Sequence, residues 1–151
     1  MLTITPSLLL IFTGLFILLS GKLPIAKGRI WVVASISGLI SWAILILLRF
    51  LPPSGLILSS QVTQSGLPVF TAFQFTAENW VFAFLLVTVL LAVVLFEARF
   101  LETQNEEPLQ ILAGSHILAA AGLLAVTANS DRAFSIAWGI FDLIELSIVF
   151  I

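Results

Sequence analysis

The sequence predicts an all-α membrane protein, built as a bundle of about five transmembrane helices. The 151 residues are 60% hydrophobic and only 9% charged, with a mean hydropathy of +1.20. A soluble domain needs far more charge to keep its surface hydrated. Five apolar stretches approach the ~20 residues that a helix needs to cross a ~30 Å hydrocarbon core. Their length favours helices over barrel strands, which alternate apolar and polar residues over ~10 positions.

The predicted helices form one transmembrane domain over residues 1–151. They occupy about 4–20, 30–50, 79–96, 109–128 and 132–151. The first apolar stretch has the look of a secretory signal peptide, but its first basic residue, Lys22, follows the apolar run. A signal peptide carries its positive charge ahead of that run, so we expect a retained helix.

The connections between the helices carry most of the charge and predict the orientation. Residues 21–29 hold Lys22, Lys27 and Arg29, which are half of the six basic residues. Short basic loops stay in the cytoplasm, which places the N-terminus outside. We therefore expect a multi-pass protein of a bacterial-type inner (plasma) membrane.

The longest connection, residues 51–78, admits two interpretations. It alternates apolar residues with Ser, Gln, Thr and Gly, and it contains the turn signals PPSG and SGLP. This pattern is typical of a short β-hairpin between helices two and three. An irregular loop fits the composition equally well.

Two carboxylates interrupt the fifth apolar stretch. Asp142 lies ten residues into it, or about 15 Å from its start at ~1.5 Å per residue, near the bilayer midplane. Glu145 follows three residues later and shares a helix face with Asp142. An ionised carboxylate at this depth costs several kcal/mol, so it must reach water, find a partner or bind a proton.

His116 is the expected partner of these acids. Helices four and five are joined by a short turn around Asn129, and His116 and Asp142 lie thirteen residues to either side of it. An antiparallel pair then brings both to a similar depth, which predicts a polar cluster of His116 with Asp142, Glu145 or both. Such a cluster serves either as a proton or ion path or as interhelical hydrogen bonding alone.

Other functional classes lack their residues in this sequence. There is no Cys and only one His. No phosphate-binding Gly-rich loop, no His pair at metal spacing and no Ser-His-Asp set occurs, so we expect no catalytic residue, cofactor or metal. The six basic residues are scattered, which argues against nucleic-acid binding. The expected surroundings are the lipid bilayer and other membrane subunits, and we do not expect an enzyme acting alone.

Three short motifs resemble those of a known family. They are SGKLP at 20–24, Phe75-Thr76-Ala77-Glu78 before helix three, and LLAVTANSD at 123–131. With these motifs the chain resembles the N-terminal five helices of the antiporter-like membrane subunits of the complex I type. Such subunits occur in NADH–quinone oxidoreductases, membrane-bound hydrogenases and Mrp-type cation/proton antiporters. In the family an Asp stands where Glu78 stands here, which suggests a structural role for Glu78.

The resemblance implies a membrane subunit of a proton- or cation-translocating respiratory-type complex, with the redox chemistry in other subunits. Aligning Trp138 with the family's Trp-Glu-Leu places Gly139 where the family has its proton-pathway Glu. Asp142 or Glu145 would then perform that role from the next helical turn, with His116 as relay. The family's unit is longer, so we expect a fragment or accessory subunit. The alternatives are a non-catalytic scaffold or assembly subunit, and a small homo-oligomeric transporter.

Overall fold

Five helices and one short strand pair make up the described structure. The computed structural model describes residues 3–21, 27–50, 55–57, 72–97, 107–128 and 131–149. The elements in chain order are α1 (Thr5–Ser20), α2 (Lys27–Phe50), β1 (Gly55–Ile57), β2 (Ala72–Gln74), α3 (Ala77–Glu97), α4 (Glu107–Thr127) and α5 (Asp131–Val149). The prediction of five helices is confirmed.

Four of the helices form a closed ring, and the fifth lies outside it. Helix α1 packs on α2, α2 on α3, α3 on α4, and α4 packs back on α1 through the most extensive contact in the molecule. Helix α5 packs mainly on α4. Helix α4 therefore has extensive contacts with three other helices, more than any other element of the bundle.

Three helices are long and apolar enough to cross a membrane. They span Gly28–Phe50, Ala77–Glu97 and Leu109–Thr127. Helix α1 is apolar but has only 16 residues, and α5 carries four charged residues among its 19. Large apolar side chains also cover the outside of the bundle, such as Phe12 and Phe82, as expected for a surface in lipid. A crossing by all five helices stays a prediction.

Helix α3 begins at Ala77, two residues before the predicted start at 79, because a reciprocal cap fixes its N-terminus. The Thr76 N–H donates to Asn79 Oδ1 (2.7 Å), and the Asn79 N–H donates to Thr76 Oγ1 (3.2 Å). This exchange satisfies two backbone donors that the first turn leaves open. Glu78 lies exposed in that turn, where the helix dipole favours a negative charge.

A short antiparallel pair of strands lies in the segment between α2 and α3. Strand β1 pairs with β2 in the register Gly55↔Gln74, Leu56↔Phe73 and Ile57↔Ala72. Phe73 also forms a bridge with Ala128, at the end of α4. The turn of the expected hairpin falls in 58–71, outside the described residues, so the hairpin stays a prediction.

Tryptophan side chains fasten α2 to α3. Their indole N–H groups donate across the contact at three levels: Trp31 Nε1 to Val94 O (2.7 Å), Trp80 Nε1 to Leu45 O (2.7 Å) and Trp42 Nε1 to Thr88 Oγ1 (3.2 Å). Phe84 stacks on Trp80 with ring centroids 5.1 Å apart. Inside an apolar bundle, these bonds fix the register of the two helices.

Helices α1 and α4 approach each other closely at Gly14. A Cβ atom built on Gly14 would lie 2.5 Å from Cγ1 of Ile117 and 3.0 Å from the carbonyl oxygen of Ala113. Both distances are too short for a side chain to fit without movement. The absence of a Cβ at Gly14 thus permits the contact that closes the ring.

Candidate proton and ion site

His116 lies in the interior of the helix ring, between α4 and α2. Its side chain is fully buried. Nδ1 lies 2.8 Å from the carbonyl oxygen of Leu112, one turn earlier in α4, and Nε2 lies 3.2 Å from the carbonyl oxygen of Ala34 in α2. Both ring nitrogens are therefore engaged by backbone oxygens.

The α2 face at this level is polar. The hydroxyl of Ser37 also donates to the Ala34 oxygen, at 2.9 Å, so this oxygen serves two side chains. Ser41 lies on the same face one turn further along, and its fully buried Oγ has no hydrogen-bond partner among the described residues. The carbonyl oxygen of Ala34 and the hydroxyls of Ser37 and Ser41 thus form a polar strip along the face of α2 that lines the ring interior.

Asp142 and Glu145 lie elsewhere, on the exposed side of α5. Among the residues that the structure describes, neither acid makes a hydrogen bond or an ion pair with His116. The expected hydrogen-bonded cluster between α4 and α5 is therefore not formed in this structure. His116 instead bonds to α2, because α2 offers a buried carbonyl oxygen inside the ring while α5 packs on another face of α4.

Helix α5 packs beside α4, whereas the depth of its acids in a membrane stays a prediction. A Cβ built on Gly122 of α4 would lie 3.7 Å from Cε2 of Phe141, which sets the middle of α5 beside the middle of α4. Phe141 stacks with Trp138, and Trp138 stacks with Phe134, at centroid distances of 5.7 and 5.6 Å. Asp142 thus follows an aromatic row directly, well inside the helix.

Gly139 occupies the position at which the resemblance leads one to expect a Glu. It is exposed, and a Cβ built there meets no described atom within 4 Å. A Cβ atom would therefore fit at this position without moving any described neighbour.

Glu97, the last residue of α3, is a buried acid that the sequence interpretation missed. Only 9% of it is exposed, and among the residues whose burial the structure describes, Glu97 and His116 are the buried charged or titratable side chains. Its position could have drawn attention, since a carboxylate at a helix C-terminus opposes the helix dipole. The sequence places it at the start of an acidic loop, which concealed its burial.

The described residues contain no group of three or more His, Cys, Asp or Glu side chains that could hold a metal ion. Three of the described helices are long and apolar enough to cross a membrane, and the helix ring holds a histidine inside and has two acids outside. No protein-family model, no curated protein and no solved structure matches the chain.

Proposed function

We propose that this chain is a membrane subunit of a proton- or cation-translocating complex of the respiratory type, comparable in role to the antiporter-like subunits that it resembles. The observation that carries the proposal is the exposure of Asp142, near the middle of α5, and of Glu145, which follows within one turn. Two carboxylates facing lipid at that depth would cost several kcal/mol. A second membrane subunit or a water-filled path that covers them removes this cost.

The surroundings of the acids support a covered face. Helix α5 lies outside the ring and packs mainly on α4, so its other side is available to another subunit. Apolar side chains flank the acids there, Leu146 among them at 58% exposure. In the proposed complex Asp142 and Glu145 exchange protons at the contact between subunits, and His116 is a separate group in the interior.

The orientation in the membrane and the division of roles among subunits are inferred from the sequence. The N-terminus lies outside and residues 21–29 lie in the cytoplasm of a bacterial-type inner membrane. Other subunits carry out the electron transfer. This chain, as an accessory subunit or a fragment of a longer one, supplies ionisable groups to the ion path.

Replacing both acids by their amides tests the proposal. We expect D142N/E145Q to reduce proton translocation by the complex in proteoliposomes while the complex still assembles, because an amide cannot exchange a proton. The matched control is Glu78→Gln, which changes an exposed acid at a helix end and should leave translocation intact. Unchanged translocation by D142N/E145Q would contradict the proposal.

A scaffold or assembly role is the second candidate, favoured by the bonds of His116 to two backbone carbonyl oxygens. In that role the polar groups only hold helices together. The same D142N/E145Q variant would then lower the yield of the complex but leave the translocation rate of each assembled complex unchanged.

A further inference from the structure

We infer that His116 is a buried proton-binding site whose occupancy sets the contact between α4 and α2. This deepens the proposed function and rests on it, since it states how the interior group holds its proton and which contact that proton controls. The supporting geometry is that of the ring interior and does not involve the acids of α5.

The two neighbours of the imidazole ring are both acceptors. The carbonyl oxygens of Leu112 and Ala34 lie 2.8 Å from Nδ1 and 3.2 Å from Nε2. A neutral imidazole has one N–H and one lone pair, whereas the protonated ring has an N–H on each nitrogen. The observed arrangement therefore satisfies the protonated ring fully. A neutral ring leaves one nitrogen lone pair facing a carbonyl oxygen.

Release of the proton should break the bond to α2 rather than the bond within α4. The Leu112 bond is shorter and links residues of one helix turn, while the Ala34 bond joins two helices. When Nε2 withdraws, the Ala34 oxygen keeps the hydroxyl of Ser37 as a donor. Ser37 thus lowers the free-energy cost of breaking the bond between Nε2 and the Ala34 oxygen. The neutral state of His116 becomes accessible as a result.

Burial opposes the charge of the protonated ring, which is why the two states can be close in free energy. The neighbouring elements bring no carboxylate into hydrogen bonding with His116 within the described residues. Helix α1 has no ionisable side chain, and the other helices carry theirs near their ends or on the exposed side: Lys27, Arg29 and Arg49 in α2, Glu78 and Glu97 in α3, Glu107 in α4, and Asp131, Arg132, Asp142 and Glu145 in α5.

The chain contains a single histidine, so ring-¹⁵N-labelled histidine gives signals from His116 alone. We expect NMR of the full chain in lipid bilayers to show two protonated ring nitrogens at low pH. At higher pH we expect a neutral ring protonated on Nδ1. Ser37→Ala should retain the doubly protonated form to higher pH. A ring that stays neutral in one tautomer over the whole pH range in which the protein is folded would overturn the inference.

The change in helix contact can be measured separately. Because the chain has no cysteine, spin labels at Val33→Cys in α2 and Ile111→Cys in α4, both exposed positions, report the distance between the two helices. We expect this distance to change with the titration of His116, and to be independent of pH in the same pair with His116→Gln. A distance that stays constant while His116 titrates, or one that still changes with pH in His116→Gln, would overturn the inference.

These outcomes are separable from those of the proposed function. A titrating His116 together with unchanged translocation by D142N/E145Q retains the proton site and rejects the transport role. Lost translocation together with a ring that never titrates retains the transport role and rejects this inference.

Discussion

Gly14 and Gly139 occupy opposite environments, although both are helical glycines in an apolar sequence. A Cβ on Gly14 would collide with Ile117 and with the backbone of α4, whereas a Cβ on Gly139 meets no described atom within 4 Å. Gly14 is therefore required by packing. The cost of Gly139 to the helix, about 0.5–1 kcal/mol relative to Ala, is not offset by any described contact.

Alanine at the two glycines should consequently have opposite effects on stability. We expect Gly14→Ala to lower the free energy of unfolding by about 1–3 kcal/mol, the usual cost of overpacking. Gly139→Ala should leave it unchanged or raise it by up to about 1 kcal/mol. Reversible denaturation in mixed micelles measures both. Equal effects of the two substitutions would contradict the close α1–α4 contact.

Gly139 also allows a test of the family resemblance. Gly139→Glu introduces an acid at the position where the family has its proton-pathway Glu, and the open space there should accept it. In a D142N/E145Q background we expect this change to restore some of the proton translocation, whereas Gly139→Gln should restore none. Equal activity of the two variants in proteoliposomes would count against a proton role for this face of α5.

For the site residues, the sequence predicts the position along a helix but not the direction in which a side chain points. A count of residues along α5 predicts how far Asp142 lies from the helix start, because helix rise is constant. It does not determine the rotation of each helix about its axis, which depends on how side chains such as Phe141 and Gly122 fit together. His116 consequently bonds to Ala34 of α2, a residue 82 positions away in the chain.

The helices could be predicted from the sequence, since an apolar run of this length can satisfy its backbone hydrogen bonds in a membrane only as a helix. The residues at which the helices begin and end were harder to predict. Helix α2 begins at Lys27, before the apolar run at Ile30, because a helix can extend past the hydrocarbon region into polar residues. The start of α3 depends on the cap between Thr76 and Asn79, which hydropathy does not register.

The tryptophan hydrogen bonds between α2 and α3 can be tested by substitution. Trp80→Phe retains an aromatic ring against Phe84 but removes the N–H that donates to Leu45 O at 2.7 Å. We expect a loss of about 1 kcal/mol, typical of an interhelical hydrogen bond in a membrane protein. Trp138→Phe is the matched control, since Trp138 is half exposed on α5 and should lose less. Denaturation in micelles that gives equal losses would contradict the fastening role.

At the scale of the whole molecule, α4 determines the architecture. Its run of small residues, Ala119 to Gly122, lets other helices approach closely, and Leu86 of α3 and Phe141 of α5 both reach Gly122. The sequence predicted the α4–α5 neighbourhood from their short connection. The return of α1 to α4 is a long-range contact, and the fit of Gly14 against Ile117 is visible only once both helices are in place.

This architecture leaves α5 at the edge of the bundle with its acids exposed, and the assembly state should reflect that. We expect native mass spectrometry of the protein, extracted from its own membrane in mild detergent, to give a complex containing other subunits and far heavier than the 16.4 kDa chain. Covering Asp142 and Glu145 with another subunit removes the cost of carboxylates in lipid. A mass equal to a small multiple of 16.4 kDa would instead indicate a homo-oligomeric transporter, in which copies of α5 must cover one another's acids. Because like charges repel, such an oligomer should dissociate more readily than the same oligomer of D142N/E145Q, which the same measurement on the variant would reveal.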